Sequence, residues 1–275
     1  MEQYKDFPKL GFGTWKITEK EIANVAIRVA FENGYRLFDT ASAYENEKII
    51  GSALQNIGCA RSEIFVSGKV WNSERGYEET LKAFNVTLKN LQVDFLDSYL
   101  IHWPASPVVH SDAEKINADT WKAMEKIHDE GYVSKIGVCN FMPHHLENLA
   151  KTANVKPMIN QVEYHPGFVQ DDIADYCKEQ NIIIQAWSPL GSGKLLKRAL
   201  LREIAEKYQR TPAQICLRWC FQKGVIPIVK SVTPERIRSN ADIFDFEISE
   251  KDIKLLDEFP YVGSGLNPDK IAILG

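Results

Sequence analysis

The sequence predicts a single closed barrel of eight parallel strands ringed by helices, the (β/α)8 or TIM-barrel class. Three observations predict it. Short apolar segments and amphipathic segments alternate eight times with little between them, the order that builds a parallel sheet. Apolar runs such as IIIQAW at 182–187 are continuous rather than alternating, which suits strands covered on both faces. The chain has 275 residues, and one such barrel takes about 250. An open doubly wound sheet is the alternative, and it usually carries a G-x-G-x-x-G turn in its first unit. Gly11 and Gly13 begin that pattern, but Lys16 stands at the third glycine.

KLGFGTW (9–15) is the first strand. TEKEIANVAIRVAFENG (18–34) is an amphipathic helix, with Thr18 and Glu21 offering a capping box and Gly34 a stop. YRLFD (35–39) precedes the helix NEKIIGSALQNIG (46–58), and EIFVSG (63–68) precedes GYEETLKAFNVTLKNLQ (76–92). DFLDSYLI (94–101) leads to DTWKAMEKIHDEG (119–131), and KIGVCN (135–140) to PHHLENLAKT (143–152). MINQVEY (158–164) leads to DDIADYCKEQN (171–181). IIIQAWS (182–188) precedes a helix from about Leu195 to Tyr208 and a second at 211–224, where Thr211, Pro212 and Gln214 are start signals. VIPIVK (225–230) is the eighth strand, and TPERIRSNADI (233–243) opens the eighth helix. No linker, repeat or low-complexity stretch divides the chain, so residues 1–275 are expected to form one domain.

The net charge of −4 argues against a nucleic-acid partner. No basic amphipathic run points to a membrane surface, and no apolar stretch is long enough to span a bilayer. MEQYKDFPKL lacks the apolar segment of a signal peptide. A cytoplasmic monomer is expected. Five cysteines with no C-x-x-C fit a reducing compartment. Cys216 and Cys220 share a helix face with no further ligands nearby, so they read as core thiols and no metal site is expected.

Asp39, Tyr44, Lys69 and His102 each stand where a strand pattern ends or in the loop after it. Barrel active sites lie at the C-terminal ends of the strands, so these four would converge on one mouth. Singly, each has a plainer reading as a helix cap, loop packing or a solvated charge. Together they suit proton delivery to a carbonyl oxygen. A phenol with a pKa near 10 is made a better acid by a neighbouring ammonium. Asp39 can hold Lys69 charged, and His102 can donate to the carbonyl oxygen. No side chain donates hydride, so a cofactor is required. Lys230, Ser231, Thr233 and Arg236 cluster at a helix start and make an anion site, or simply a capped and exposed helix start.

FDTASAYENE, the strand-end Lys69 followed by Val70 and Trp71, LIHWP, GFGTW, GVCNF, NQVEYHP, AWSPLG and PIVKSVTPERIRSN resemble the aldo-keto reductase family in order and spacing, nearly end to end. Within the family the chain resembles the short bacterial members that reduce glyoxal, methylglyoxal or diketo-gluconate. The resemblance implies NADPH-dependent reduction of small aldehydes, dicarbonyls and keto-sugars. It makes Tyr44 the general acid, Lys69 and Asp39 its tuning pair and His102 the residue that orients substrate. It gives the 2′-phosphate of NADPH to Lys230, Ser231, Val232, Thr233 and Arg236, and the adenine to Asn240. It gives the carboxamide to Cys139, Asn140 and Gln161 and the nicotinamide face to Trp187. Ser188 and Leu190 match the loop near the pyrophosphate, and Gly13, Thr14 and Trp15 line the same region. Trp15, Trp71 and Trp103 resemble aromatic walls of the substrate pocket. Two positions depart from the pattern: Cys139 replaces a usual Ser, and Ser239 a frequent acidic residue. The short loop after Trp187 and the short tail imply an open pocket, and the brief start implies at most a small hairpin under the barrel. His165 is expected to be structural support. Two other functions remain open: a non-catalytic NADPH-binding regulatory or structural barrel, and an aldolase using Lys69 as a Schiff-base amine.

Overall fold

The computed structural model describes residues 7–271. Eight parallel strands close in sequence order into a barrel. They are β1 (Gly11–Gly13), β2 (Leu37–Asp39), β3 (Phe65–Val70), β4 (Leu96–Ile101), β5 (Val133–Cys139), β6 (Ile159–Glu163), β7 (Ile183–Trp187) and β8 (Ile226–Val229). β8 pairs back onto β1 through Gly11↔Ile228, so no edge is left open. The helices are α1 (Lys20–Glu32), α2 (Glu47–Gln55), α3 (Tyr77–Leu91), α4 (Ala113–Asp129), α5 (Pro143–Ala150), α6 (Asp171–Glu179), α7 (Ala199–Lys207), α8 (Pro212–Gln222), α9 (Pro234–Ala241) and α10 (Glu250–Asp257). α1 lies beside α9 and completes the outer ring.

The strand period of two sorts the barrel interior by height. Towards the strand starts, Leu37, Leu100, Ile159, Ile183, Ile226 and Ile228 form an apolar cluster apart from the main core. Phe7 joins it from below, its ring 4.8 Å from that of Phe65. Two or four residues further along the same strands stand Asp39, Lys69, His102, Gln161, Gln185 and Trp187. The same alternation therefore gives a dry floor and a polar mouth. Gly137 is where the wall is tightest: a Cβ there would lie 2.5 Å from the carbonyl oxygen of Ile159.

Several local expectations are corrected. The Thr18–Glu21 box does not form; α1 starts at Lys20 with Glu19 as N-cap and no side-chain cap. α4 starts at Ala113, six residues before the expected Asp119. The helix expected at 195–208 is broken at Arg198, whose ψ of 130° separates a 3-10 turn from α7. α10 was not anticipated; Ser249 caps it by accepting from the Asp252 N–H. Thr211 and Gln214 do form the reciprocal cap of α8. A hairpin under the barrel would fall mainly outside the described residues. Cys216 and Cys220 are fully buried free thiols, as expected. His165 is buried, with Nδ1 2.8 Å from the Pro166 carbonyl oxygen.

Candidate active site

The mouth is built around a buried ion pair. Asp39 ends β2 and Lys69 is the penultimate residue of β3, so adjacent strands bring them together. Lys69 Nζ donates to Asp39 Oδ2 at 2.6 Å and to the Thr40 carbonyl at 3.0 Å. An ammonium has three N–H groups; the third side faces Tyr44, whose ring centre is 5.2 Å from Nζ. Tyr44 closes the 3-10 turn Ser42–Tyr44. Its ring meets the His102 ring edge-on at 5.8 Å, and Trp71 flanks the same imidazole at 4.9 Å.

Charge states follow from this geometry. Burial pushes the Tyr44 phenol up to about 12, and the Lys69 charge works against that rise. Burial would lower the Lys69 pKa, but Asp39 and Tyr44 outweigh it and the net shift is upward. His102 is held well below its ordinary value by burial, then by the Lys69 and Arg75 charges. Its imidazole is therefore neutral, and its Nδ1 is buried without a partner. Burial raises the Cys139 thiol.

A second network lies on the opposite strands. Gln161 Nε2 donates to Asp39 Oδ1 at 3.0 Å and to Gln185 Oε1 at 2.9 Å. Trp187 Nε1 donates to Asn140 Oδ1 at 2.8 Å, and Asn140 Nδ2 to the His102 carbonyl at 3.0 Å. Asn140 and Ser188 leave β5 and β7 in left-handed conformations, with φ of 62° and 53°. Such backbone is uncommon outside glycine and clusters at functional sites. Ser188 Oγ is occupied in its own loop, accepting from the Ser192 N–H. Leu190 packs against the core.

The third region is the β8–α9 rim. Thr233 is the N-cap of α9 but makes no side-chain cap. Ser231 Oγ accepts from the Thr233 N–H. Lys230 and Val232 are exposed, as is Arg236 in the first turn of the helix. Lys230 is lowered by partial burial and by the nearby Lys16 charge. Among the described residues no carboxylate pairs with Lys16, Lys230 or Arg236. Uncompensated cations beside an uncapped helix start fit an anion. Asn240 is buried on the same helix. Gly13 ends β1, Thr14 is tied to the Asp39 carbonyl, and Trp15 is 55 % exposed beside Lys16.

The tail, though short, reaches the mouth. Val262 N–H donates to the Gly167 carbonyl, and Ser264 donates through N and Oγ to Glu163 at the end of β6. Leu266 and Pro268 line a cleft with Trp103, Asn140 and Trp187. Trp103 itself is buried, edge-on to Trp187 at 6.5 Å. Sequence reading missed Glu163, Gln185 and Leu266. The first two were visible as polar residues on the inward period of β6 and β7; nothing marked Leu266.

These features define a parallel-barrel enzyme with a phenol–ammonium–carboxylate centre and unpaired cations on its rim. A model of the "Aldo/keto reductase family" matches residues 9–260. The chain is 46% identical over 267 residues to glyoxal reductase of Bacillus subtilis (strain 168), covering 97% of this chain and 94% of that one. It is 39% identical over 264 residues to methylglyoxal reductase DkgA of Escherichia coli O157:H7, covering 95% and 92%. The solved structure of a Gox0644 mutant in complex with NADPH superposes with a TM-score of 0.88 at 36% identity, covering 97% and 95%. The chain belongs to the aldo/keto reductase family and is an oxidoreductase acting on carbonyl groups.

Proposed function

We propose that this protein reduces small aldehydes and dicarbonyls to alcohols with NADPH as hydride source and Tyr44 as general acid. The observation that carries the reading is the Lys69 ammonium held between Asp39 and Tyr44. Lys69 stays charged, so it stabilises the phenolate left when Tyr44 Oη gives its proton to the carbonyl oxygen. His102, with a neutral imidazole beside Tyr44, is suited to donate to the same oxygen and orient it. NADPH, when bound, supplies hydride to the carbonyl carbon. Asn140, Gln161 and Trp187 would hold its nicotinamide end, with Cys139, Ser188 and Leu190 beside it. Lys230, Thr233 and Arg236 would hold the 2′-phosphate, Arg236 by a charge-assisted contact, and Asn240 the adenine. Trp15, Trp71 and Leu266 would wall the substrate space. The aldolase alternative needs a neutral amine, and the Asp39 pair disfavours one.

The names of both bacterial relatives specify small dicarbonyls, and we propose the same substrate class here. The test is a panel of glyoxal, methylglyoxal, a keto-sugar and a bulky aromatic aldehyde with NADPH or NADH, read by loss of the reduced-nicotinamide absorbance. Turnover of the small carbonyls with NADPH is expected. No turnover, or borohydride trapping of a Lys69 adduct without cofactor, ends this reading.

A further inference from the structure

We propose that Gln185 is a positioning residue: it turns the Gln161 side chain so that its carbonyl oxygen is offered to the carboxamide of the nicotinamide. The proposal rests on the NADPH reading above. Asp39 Oδ1 only accepts hydrogen bonds, so the Gln161 atom 3.0 Å away must be the amide nitrogen. That nitrogen has two protons. The second is taken by Gln185 Oε1 at 2.9 Å, across the β6–β7 ladder where Gln161 and Gln185 are direct partners. With both N–H groups committed inside the barrel, Gln161 Oε1 is the only atom left to meet a ligand. It makes no hydrogen bond among the described residues. A carboxamide N–H is the donor such an oxygen lacks.

Gln185 itself is fully buried, and its Nε2 has no partner. The residues two before and two after it on the inward face are Ile183 and Trp187, and its partner on β8 is Ile226. An aliphatic side chain would fill this place without stranding Gln185 Nε2, at the cost of leaving the second Gln161 N–H without its acceptor. The stranded amide is accounted for if the residue is there for its oxygen. Without Gln185, only Asp39 holds the Gln161 amide, and the group can rotate about that one contact.

The test uses Gln185→Leu, Gln161→Leu and the double variant. NADPH and adenosine 2′,5′-bisphosphate are titrated by Trp fluorescence quenching, with the Tm of each cofactor-free protein. Gln185→Leu is expected to weaken NADPH about tenfold, the equivalent of one hydrogen bond. The bisphosphate, which lacks the nicotinamide, should bind unchanged, and Tm should not fall. The double variant should bind NADPH no more weakly than Gln161→Leu alone, because Gln185 acts only through Gln161. NADPH affinity unchanged in Gln185→Leu overturns the proposal, as does equal weakening of both ligands or an additive double variant. Wild-type protein that binds no NADPH is a separate result, and it ends the cofactor reading together with this one.

Discussion

The barrel interior and the β8–α9 rim use charge in opposite ways. Inside, Asp39 and Lys69 are sealed from water and saturate one another; both carboxylate oxygens are engaged, by Lys69 and by Gln161. At the rim, Lys16, Lys230 and Arg236 stand near solvent with no carboxylate partner among the described residues. The ion pair is complete by itself, held by the ends of adjacent strands. Under the cofactor reading proposed above, the rim is completed by a guest. The difference teaches where each kind of function sits. A group that must keep one protonation state through turnover is buried and paired, and a group that must capture a diffusing anion is left unpaired.

The sharpest way to break this contrast is at the proton donor. Tyr44→Phe keeps the ring and removes the proton, so kcat should fall a hundred- to ten-thousandfold while NADPH titration is unchanged. A variant keeping more than about a tenth of wild-type kcat would remove Tyr44 from the role. Next is the interior pair. Lys69→Met strands a buried carboxylate, which should lower stability by about 3–5 kcal/mol in urea unfolding, besides abolishing turnover. Asp39→Asn/Lys69→Met together should recover part of that stability, since no buried charge remains unpaired. The rim should respond differently. Arg236→Ala should cost about ten- to a hundredfold in NADPH affinity and leave NADH nearly unaffected. That loss should shrink as salt rises, because rim charges are screened. Equal weakening of both cofactors would reduce the cluster to an exposed helix start.

The smallest effect is in acid. His102 is held well below its ordinary pKa, and burial and the neighbouring His144 lower His145 to about 4. The unfolded chain protonates these groups near pH 6.5. Their contribution to stability is thus fully present above about pH 6.5 and is lost as pH falls towards 4. Tm should drop by several degrees between pH 7 and pH 4.5, and His145→Gln should flatten that slope. An unchanged slope would contradict the assignment.

The barrel was legible because its signals repeat. Eight alternations and the inward period of two leave little freedom for any one strand, and the four mouth residues sat at strand ends by the same logic. What escaped depended on contacts between distant parts of the chain. Thr18 and Glu21 have the composition of a cap, yet the chain enters α1 at Glu19 and leaves them unused. Arg198 carries no local break signal, and it divides a helix that the pattern ran through. The anchoring of Ser264 on Glu163, 101 residues apart, has no local signature at all.

The five cysteines have a consequence beyond packing. Burial raises every one, including the partly exposed Cys59. At neutral pH the chain thus offers almost no thiolate, and thiolate is the form that electrophiles attack. Dicarbonyls are themselves electrophiles that scavenge thiolates. A catalyst exposed to them turnover after turnover is inactivated by its own substrate unless its sulfur is kept out of reach. Cys139, a sulfur atom among the residues of the reactive centre, is tolerable there because it stays protonated. Under the dicarbonyl reading proposed above, protonated sulfur is what would let this chain outlast its substrate.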